Sequence, residues 1–274
     1  MAIKDSPFGK DIYSNEIKKD LRTFYDSITQ QLNSTAFANY ARFLNYGYLP
    51  NHNPQHAVID LPKYALNRNH IKLILETIGI CDLTNRRVLD VGCGRGGTVS
   101  VIADYFQAQQ IVGMDLSSSA VAFCHRNYNY PHTRFVEGDA EHLPFRRHSF
   151  EVITNIESSH CYPNIFSFYR EIKRVLIPGG YFLYTDLLPT NKLAENLSFL
   201  LELGFTIKHE RDITSNVLLS CDDIARKNKA AFQEDNEANI MNNFLAVPGS
   251  DVYEKMKSGH SKYMLFRLKR SHKM

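Results

Sequence analysis

The sequence predicts an α/β fold with a seven-stranded, mostly parallel sheet, helices on both faces and a helical cap. The first reason lies at residues 88–106, where an apolar run ends in Asp90, four glycines follow within residues 92–97, and apolar residues then recur at helical spacing. This order is typical of a buried strand, a tight nucleotide-binding loop and a helix. The second reason is that strand-like and helix-like segments alternate downstream, which favours a Rossmann-like parallel sheet.

Seven strands are predicted, at residues 87–91, 110–114, 133–137, 150–155, 181–187, 205–211 and 262–269. Apolar residues at helical spacing in residues 71–78 predict an amphipathic helix ahead of the first strand. A similar stripe predicts a helix at residues 165–176, which Pro178-Gly179-Gly180 would end before the fifth strand begins.

Two segments fall outside the strand and helix alternation. Residues 1–60 combine dense aromatic residues with polar helical stretches, and we interpret them as an N-terminal helical cap on a core domain at residues 61–274. A polar helical segment at about 215–258 separates the last two strands and is interpreted as a second part of the cap. Aromatic residues of the first segment, Tyr25 among them, are expected to roof the cofactor or substrate pocket.

Composition limits the possible partners. The chain has 274 residues, 43% of them hydrophobic, and its net charge of +3 is spread along the sequence, so nucleic acid is not an expected partner. The five cysteines form no CxxC pair, which favours a reducing compartment. Neither a signal peptide nor an apolar run of membrane-spanning length is seen, so we expect a cytoplasmic protein.

The charge of Asp90 indicates which cofactor the glycine loop binds. Gly92, Gly94 and Gly97 also fit the fingerprint of NAD-binding loops. A carboxylate two residues before the first glycine would repel a pyrophosphate but attract the ammonium of an amino-acid moiety. The loop therefore favours S-adenosylmethionine over NAD. Arg95 weakens this charge argument, and its side chain is expected to point to solvent.

Acidic residues at the ends of the next strands extend the predicted cofactor site, because ligands bind at the carboxyl ends of parallel strands. Asp115 can accept hydrogen bonds from both ribose hydroxyls, or cap the helix that starts near Ser117. Asp139 can accept from the adenine amino group, or serve as a turn residue. The complete predicted set of cofactor-binding residues is Tyr25, Asp90, Gly92, Cys93, Gly94, Asp115, Leu116, Asp139, Ala140 and Asn155.

A histidine and an aspartate follow the fourth and fifth strands. His160 has a suitable pKa for a general base, and Asp186 ends the adjacent strand, where it could orient the imidazole ring. Two alternatives are a purely structural histidine and a metal site formed by Glu157, His160 and Asp186. The metal site is less favoured because no typical ligand spacing supports it, and no metal is predicted.

Residues 88–189 resemble the class I S-adenosylmethionine-dependent methyltransferases. The resemblance rests on Asp90-x-Gly92-x-Gly94, Asp115, Gly138-Asp139-Ala140 and Leu143-Pro144-Phe145. Within that family, residues 157–163 and 185–189 are similar to small-molecule O-methyltransferases of natural-product pathways, which implies a catalytic pair of His160 and Asp186. Residues 45–48 are similar to an N-terminal motif of the same group, in which a tryptophan often stands. This chain has no tryptophan.

The expected function is methyl transfer from S-adenosylmethionine to a hydroxyl oxygen of a small hydrophobic secondary metabolite of polyketide, peptide or glycoside type. The alternatives are a C- or N-methyltransferase, a methyltransferase-fold cyclase that keeps the cofactor without transferring its methyl group, and an NAD-dependent dehydrogenase. A binding module is least favoured, because it would leave a complete cofactor site unused.

Overall fold

A computed structural model describes residues 15–34, 41–50, 61, 67–227 and 242–272. The strands are β1 (Arg87–Val91), β2 (Gln110–Asp115), β3 (Thr133–Glu137), β4 (Phe150–Ile156), β5 (Leu176–Pro189), β6 (Phe205–Asp212) and β7 (Ser261–Arg270). The helices are α1 (Asn15–Asn33), α2 (Arg68–Ile78), α3 (Gly97–Tyr105), α4 (Ser118–Asn127), α5 (Ile165–Val175), α6 (Leu193–Glu202), α7 (Thr214–Lys227) and α8 (Asp251–Lys257).

The seven strands form one sheet in the order β3-β2-β1-β4-β5-β7-β6. All neighbouring pairs are parallel except those of β7, which runs antiparallel to β5 and β6. The predicted seven-stranded, mostly parallel sheet is therefore confirmed. The strand order reverses between β1 and β4, and such a reversal opens a crevice at the carboxyl ends of the strands.

Two apolar clusters cover the two faces of the sheet. One contains buried side chains of α2, α3, α4 and α7, and the other contains those of α5 and α6. The stripe predicted for residues 165–176 belongs to the second cluster, where Phe168, Ile172 and Val175 are fully buried. Burial of apolar faces on both sides of the sheet is the main stabilising contribution in this layered architecture.

The fifth strand begins earlier than predicted. It starts at Leu176, directly after α5, so Pro178-Gly179-Gly180 lies inside its bounds. The stretch is irregular: Phe150 pairs with Leu176, Val152 pairs with Tyr181, and the register shifts in between. Gly179 has a φ of +79°, a conformation that glycine adopts without strain. The turn residues therefore interrupt the regular pairing of the strand rather than preceding it.

The predicted cap is described only in part. Residues 1–14, 35–40, 51–60 and 228–241 of the two predicted segments lie outside the described residues. The described parts are α1, the segment at 41–50, α7, α8 and residues 242–250. Helix α1 packs against α4. Within the described ranges, no helix combines the length and apolar character needed to cross a membrane.

Candidate active site

A cavity of about 770 Å³ lies at the carboxyl ends of the strands, on the line where the strand order reverses. Its floor is the glycine loop after β1, and one wall is α1. Apolar side chains dominate its lining, as is usual for small-molecule sites. They include Leu21, Phe24, Leu44, Leu187 and Phe244. The cavity is large enough for a cofactor and part of an acceptor, since ligand pockets typically span about 300–1,000 Å³.

The glycine loop is held close to β2. The backbone N–H groups of Gly92 and Cys93 both donate to the Met114 carbonyl oxygen, at 2.8 and 3.0 Å. Gly92 has a φ of +72°, and a Cβ atom there would lie 2.3 Å from Ser158 Oγ, so a larger residue would not fit. Gly92, Cys93 and Gly94 all line the cavity, as the prediction requires.

Asp90 lies under the loop and is almost fully buried. Its Oδ1 accepts a hydrogen bond from Thr154 Oγ1 at 2.7 Å, whereas Oδ2 has no hydrogen-bond partner among the described residues. Burial raises the pKa of this carboxyl group to about 7, although the bond from Thr154 opposes the rise. Asp90 does not line the cavity, because the glycine loop lies between its side chain and the cavity space. A buried carboxylate with one unsatisfied oxygen still attracts a cation bound on the other side of the loop, and the amino-acid ammonium of S-adenosylmethionine is such a group.

Asp115 and Leu116 line the cavity one strand further along. Asp115 Oδ2 accepts from the Gly94 N–H at 2.8 Å, and Oδ1 accepts from the Ser117 N–H at 2.9 Å. The cap of α4 is Ser117 itself, whose Oγ accepts from the Ala120 N–H. The alternative role of Asp115 as that helix cap is therefore taken by Ser117, and Asp115 instead ties the glycine loop to the end of β2.

Asp139 and Ala140 line the cavity beyond β3. Asp139 accepts from the Glu141 N–H at 2.9 Å, so it does stabilise the turn. It also pairs with Lys18 of α1 at 2.7 Å, and Lys18 pairs with Glu141 at 2.6 Å. These contacts hold the pKa of Asp139 below its usual value despite partial burial, so the carboxylate is charged and fixed at the predicted adenine end of the site.

Asn155, another predicted cofactor-binding residue, is fully buried behind the cavity wall. Its Nδ2 donates to the Val91 carbonyl oxygen at 2.9 Å, to Ser158 Oγ at 2.8 Å and to the Tyr162 hydroxyl at 3.0 Å. Ser158 and Tyr162 line the cavity, and Asn155 does not. The geometry therefore assigns Asn155 to the support of the loop after β4.

Arg95 does not point to solvent as predicted, because its side chain is fully buried. Its Nε donates to the Ala41 carbonyl oxygen at 2.6 Å, its Nη1 donates to Asn33 Oδ1 at 2.8 Å, and its guanidinium lies 3.6 Å from the centre of the Phe123 ring. Burial lowers its pKa to about 10. Arg95 thus joins the glycine loop to the end of α1.

His160 and Asp186 meet at the cavity wall. His160 Nδ1 lies 2.6 Å from Asp186 Oδ1, and Asp186 is fully buried. Asp186 also accepts from Ser159 Oγ at 2.5 Å and from the backbone N–H groups of His160 and Leu187, at 3.1 and 2.8 Å. With Nδ1 donating to this carboxylate, Nε2 is the nitrogen that can take a proton from a substrate.

The charges around His160 favour its protonated form. Burial opposes protonation, but Cys161 and Asp186 outweigh it and raise the pKa of the imidazole well above its usual value. Cys161 in turn lies 2.9 Å from the hydroxyl of Tyr25, which reaches the cavity from α1. Sequence reasoning placed Tyr25 at the pocket but did not anticipate its contact with Cys161.

Glu157 lies on the same loop as His160 and also lines the cavity. Its Oε2 accepts hydrogen bonds from the Tyr46 N–H at 2.9 Å and from the hydroxyl of Tyr263. In the described part of the chain, no group of three or more His, Cys, Asp and Glu side chains is arranged to hold a metal ion.

Comparison with known proteins identifies the family. The family described as "Methyltransferase domain" matches residues 89–184. The phthiotriol/phenolphthiotriol dimycocerosates methyltransferase of Mycobacterium tuberculosis is 31% identical over 255 residues, 91% of each chain. The chain belongs to the class I S-adenosylmethionine-dependent methyltransferases. The cofactor of this methyltransferase is accordingly S-adenosylmethionine.

Other relatives align over shorter stretches. The phthiotriol/phenolphthiotriol dimycocerosates methyltransferase 1 of Mycobacterium ulcerans is 39% identical over 181 residues, which are 65% of this chain and 64% of the relative. The fatty-acid O-methyltransferase of Mycolicibacterium smegmatis is 43% identical over 153 residues, which are 56% of this chain and 55% of the relative. These two alignments span less than two thirds of the relatives' own length.

Solved structures share the fold of the methyltransferase. The (4+2)-cyclase SpnF matches with a TM-score of 0.71 and 22% identity, over 93% of this chain and 96% of its own. Geranyl diphosphate C-methyltransferase from Streptomyces coelicolor A3(2) matches with a TM-score of 0.67 and 16% identity, over 94% of this chain and 98% of its own. At these identities the similarity concerns the fold alone.

Helix α1 contributes contacts to the methyltransferase site that sequence reasoning missed. Besides the pairs of Lys18, the Asp26 carboxylate accepts from Ser117 Oγ at 2.6 Å and from the Ser119 N–H at 3.1 Å. Arg22 pairs with Glu137 at 3.1 Å in an exposed position. The sequence cluster Phe24-Tyr25-Asp26 was the available signal for these contacts, but it indicated only that aromatic side chains cover the pocket. These contacts align α1 along the ends of β2 and β3.

Proposed function

We propose that this methyltransferase transfers a methyl group to a hydroxyl oxygen of a small hydrophobic acceptor, with His160 as general base and Asp186 as the group that orients it. The observation that carries the proposal is the 2.6 Å contact between His160 Nδ1 and the buried Asp186, on the wall of a mainly apolar cavity. The relative named fatty-acid O-methyltransferase supports oxygen as the methylated atom and an acceptor with an acyl chain.

The cofactor site is proposed to run along the predicted residues. In this proposal Asp90 attracts the ammonium group from beneath the glycine loop, through the unsatisfied Oδ2. Asp115 contacts the ribose and Asp139 the adenine, with Leu116 and Ala140 beside them. S-adenosylmethionine supplies a methyl group on a positively charged sulfur, which leaves as a neutral thioether. The protein mainly has to align the acceptor oxygen with that methyl group and accept its proton.

Proton transfer is the chemical step proposed for the protein. The hydroxyl proton moves to His160 Nε2 as the new carbon–oxygen bond forms, and the Asp186 carboxylate stabilises the resulting imidazolium. Because Asp186 is held by three other donors, its charge and position are maintained throughout. The base must be neutral before the step, and its pKa is raised, so the rate should rise with pH above the usual range of histidine.

The described parts of the cap are proposed to close the cavity over the acceptor. Leu21, Phe24 and Tyr25 of α1 and Val252 of α8 line it. Such cover excludes water from the transfer.

We further propose a cytoplasmic location, because all five cysteines are free thiols, a state that a reducing compartment maintains.

The test compares His160→Ala and Asp186→Asn with the wild type, using labelled S-adenosylmethionine and three probes: a long-chain fatty acid, a long-chain alcohol and a phenol. Loss of a general base should lower turnover about 100- to 10,000-fold, with a smaller loss for Asp186→Asn. Binding of S-adenosylhomocysteine, measured by calorimetry, should change little. His125→Ala is the control, because this exposed histidine lies on α4, its ring lies against that of Phe135, and it is not among the residues that line the cavity.

The outcome separates the proposed reaction from the alternatives. Turnover near the wild-type level in His160→Ala would contradict the role of this residue as general base. Mass spectrometry of the product locates the methyl group, and a methyl group on carbon or nitrogen would contradict O-methylation. Cofactor binding without methylation of any probe would favour the cyclase alternative.

A further inference from the structure

The proposed reaction leaves one partly buried carboxyl group of the cavity, that of Glu157, without a role. Glu157 follows β4 and lies three residues before His160. Its φ is +55°, in the left-handed region that a residue with a long side chain rarely adopts. Such strain costs on the order of 1 kcal/mol or more and persists where the surrounding structure imposes it, which is common at ligand sites.

The two oxygens of Glu157 have different environments. Oε2 accepts from the Tyr46 N–H and from the Tyr263 hydroxyl, and these donors come from the segment at 41–50 and from β7. No described residue donates to Oε1. Because the side chain lines the cavity, Oε1 is the oxygen available to a ligand. Two separate elements therefore hold one oxygen and leave the other for the acceptor.

We propose that Glu157 determines acceptor specificity by forming a hydrogen bond with a second acceptor oxygen, next to the hydroxyl from which His160 takes the proton. This inference rests on the proposed O-methyl transfer. The acceptor class is then an apolar chain with two neighbouring oxygens, such as a 1,2-diol or its monoether. An acceptor with a single oxygen would leave Oε1 unsatisfied in a largely apolar cavity, which is costly.

The protonation state of Glu157 defines what kind of oxygen it recognises. Burial raises its pKa to about 8, so the carboxyl group keeps its proton at neutral pH. Since Oε2 already accepts two hydrogen bonds, Oε1 carries the proton and donates it to the ligand. The titratable groups that face Glu157 come from five different segments of the chain and are Tyr46, His160, Asp186, Cys221 and Tyr263.

The direction of the pH effect follows from this donor role. Below about pH 8, neutral Glu157 can donate to an ether oxygen, which only accepts hydrogen bonds. Above that pH the ionised group can only accept, so it would repel the same ether oxygen. The preference for an acceptor with a neighbouring ether oxygen should therefore be present at neutral pH and decline as pH rises through about 8.

The experiment uses three matched probes with the full-length protein: a long-chain 1,2-diol, its 2-methoxy ether, and the corresponding primary alcohol with no second oxygen. Binding to the protein with S-adenosylhomocysteine is measured by calorimetry, and kcat/KM is measured with labelled S-adenosylmethionine. The wild type should prefer the diol and the ether over the alcohol by about tenfold at pH 7, the value expected for one buried hydrogen bond.

Two variants separate specificity from structure. Glu157→Gln keeps a donor at this position and should retain most of the preference, without a decline above pH 8. Glu157→Leu should abolish the preference while cofactor binding stays unchanged. Glu202→Gln, an exposed position on α6, is the matched control and should behave like the wild type.

Three results would overturn the inference. The first is that all three probes bind the wild type equally, or that none binds detectably. The second is that Glu157→Leu keeps the preference for the diol and the ether over the alcohol. The third is that the wild-type preference for the ether does not decline as pH rises through about 8. If the probes bind with the expected preference but none is methylated on oxygen, the proposed O-methyl transfer fails and the role of Glu157 in binding stands.

Discussion

Cofactor affinity should increase between pH 6 and pH 7 because Asp90 loses its proton in this range. Its pKa is raised to about 7 by burial, and the cationic ammonium group of the cofactor should favour the ionised form. With that pKa, about one-tenth of the carboxyl groups are ionised at pH 6 and about half at pH 7. The apparent dissociation constant should therefore fall roughly fivefold over this single pH unit.

Calorimetry with S-adenosylhomocysteine is the suitable assay, because this product keeps the ammonium group but carries no charge on sulfur. Titration of His160, which lies near the sulfur in the proposed complex, should then contribute little to the pH dependence of binding. Titrations at pH 5.5, 6, 6.5 and 7 in two buffers of different ionisation enthalpy also count released protons. About half a proton should be released per binding event at pH 7, where half of the Asp90 groups are still protonated.

Two variants test whether Asp90 is the responsible group. Asp90→Asn should bind more weakly at pH 7 and lose the pH dependence. Thr154→Val removes the hydrogen bond that lowers the pKa of Asp90, so the rise in affinity should move to higher pH. Asp82→Asn, an exposed position before β1, is the control. A flat affinity profile in the wild type, or the wild-type slope in Asp90→Asn, would refute the assignment.

Three further predictions concern the same site. Asp115→Ala should weaken S-adenosylhomocysteine binding by roughly 2–4 kcal/mol in calorimetry, because two charge-assisted hydrogen bonds to ribose are lost, and an unchanged affinity would contradict that contact. Arg95→Ala should lower the free energy of unfolding by about 3 kcal/mol in urea denaturation, since the acceptors at Thr29, Asn33 and Ala41 lose their donor, whereas an effect below about 0.5 kcal/mol would show that the guanidinium contributes little. Hydrogen exchange in α1 and residues 41–50 should slow when cofactor and acceptor bind, and protection confined to the segment from Gly92 to Asp115 would mean that the cap is only structural.

Local sequence patterns were sufficient to predict the strands and the glycine loop. The central strands β1, β2 and β4 are apolar runs that become buried, and burial of such runs depends on composition more than on the partner strand. Gly92 and Gly94 adopt the positive φ values that the loop requires, and this preference is a property of glycine itself. The proposal that Asp90 attracts a cation rests on its charge and its place beside the loop, which are both visible in the sequence.

The proximity of His160 to Asp186 was also predictable, because residues that end adjacent parallel strands lie at the same edge of a sheet. β4 and β5 pair directly, with Ile156 opposite Thr185, which brings the loop after β4 to Asp186. The pairing of adjacent strands could be anticipated from their order in the chain. The distance of 2.6 Å could not, because it depends on the 3-10 turn at Ser159–Cys161.

Contacts between distant segments were decided only by the tertiary structure. Lys18 lies 121 residues from Asp139, Tyr25 lies 136 residues from Cys161, and Arg95 reaches Ala41 across 54 residues. A charged residue in a glycine loop is usually solvated, so the burial of Arg95 had no local signal. Its burial requires the carbonyl oxygens of Thr29 and Ala41 as acceptors. These acceptors lie near Arg95 because α1 packs along the ends of β2 and β3. Side-chain partners of this kind depend on how separate elements pack, and no local pattern encodes that arrangement.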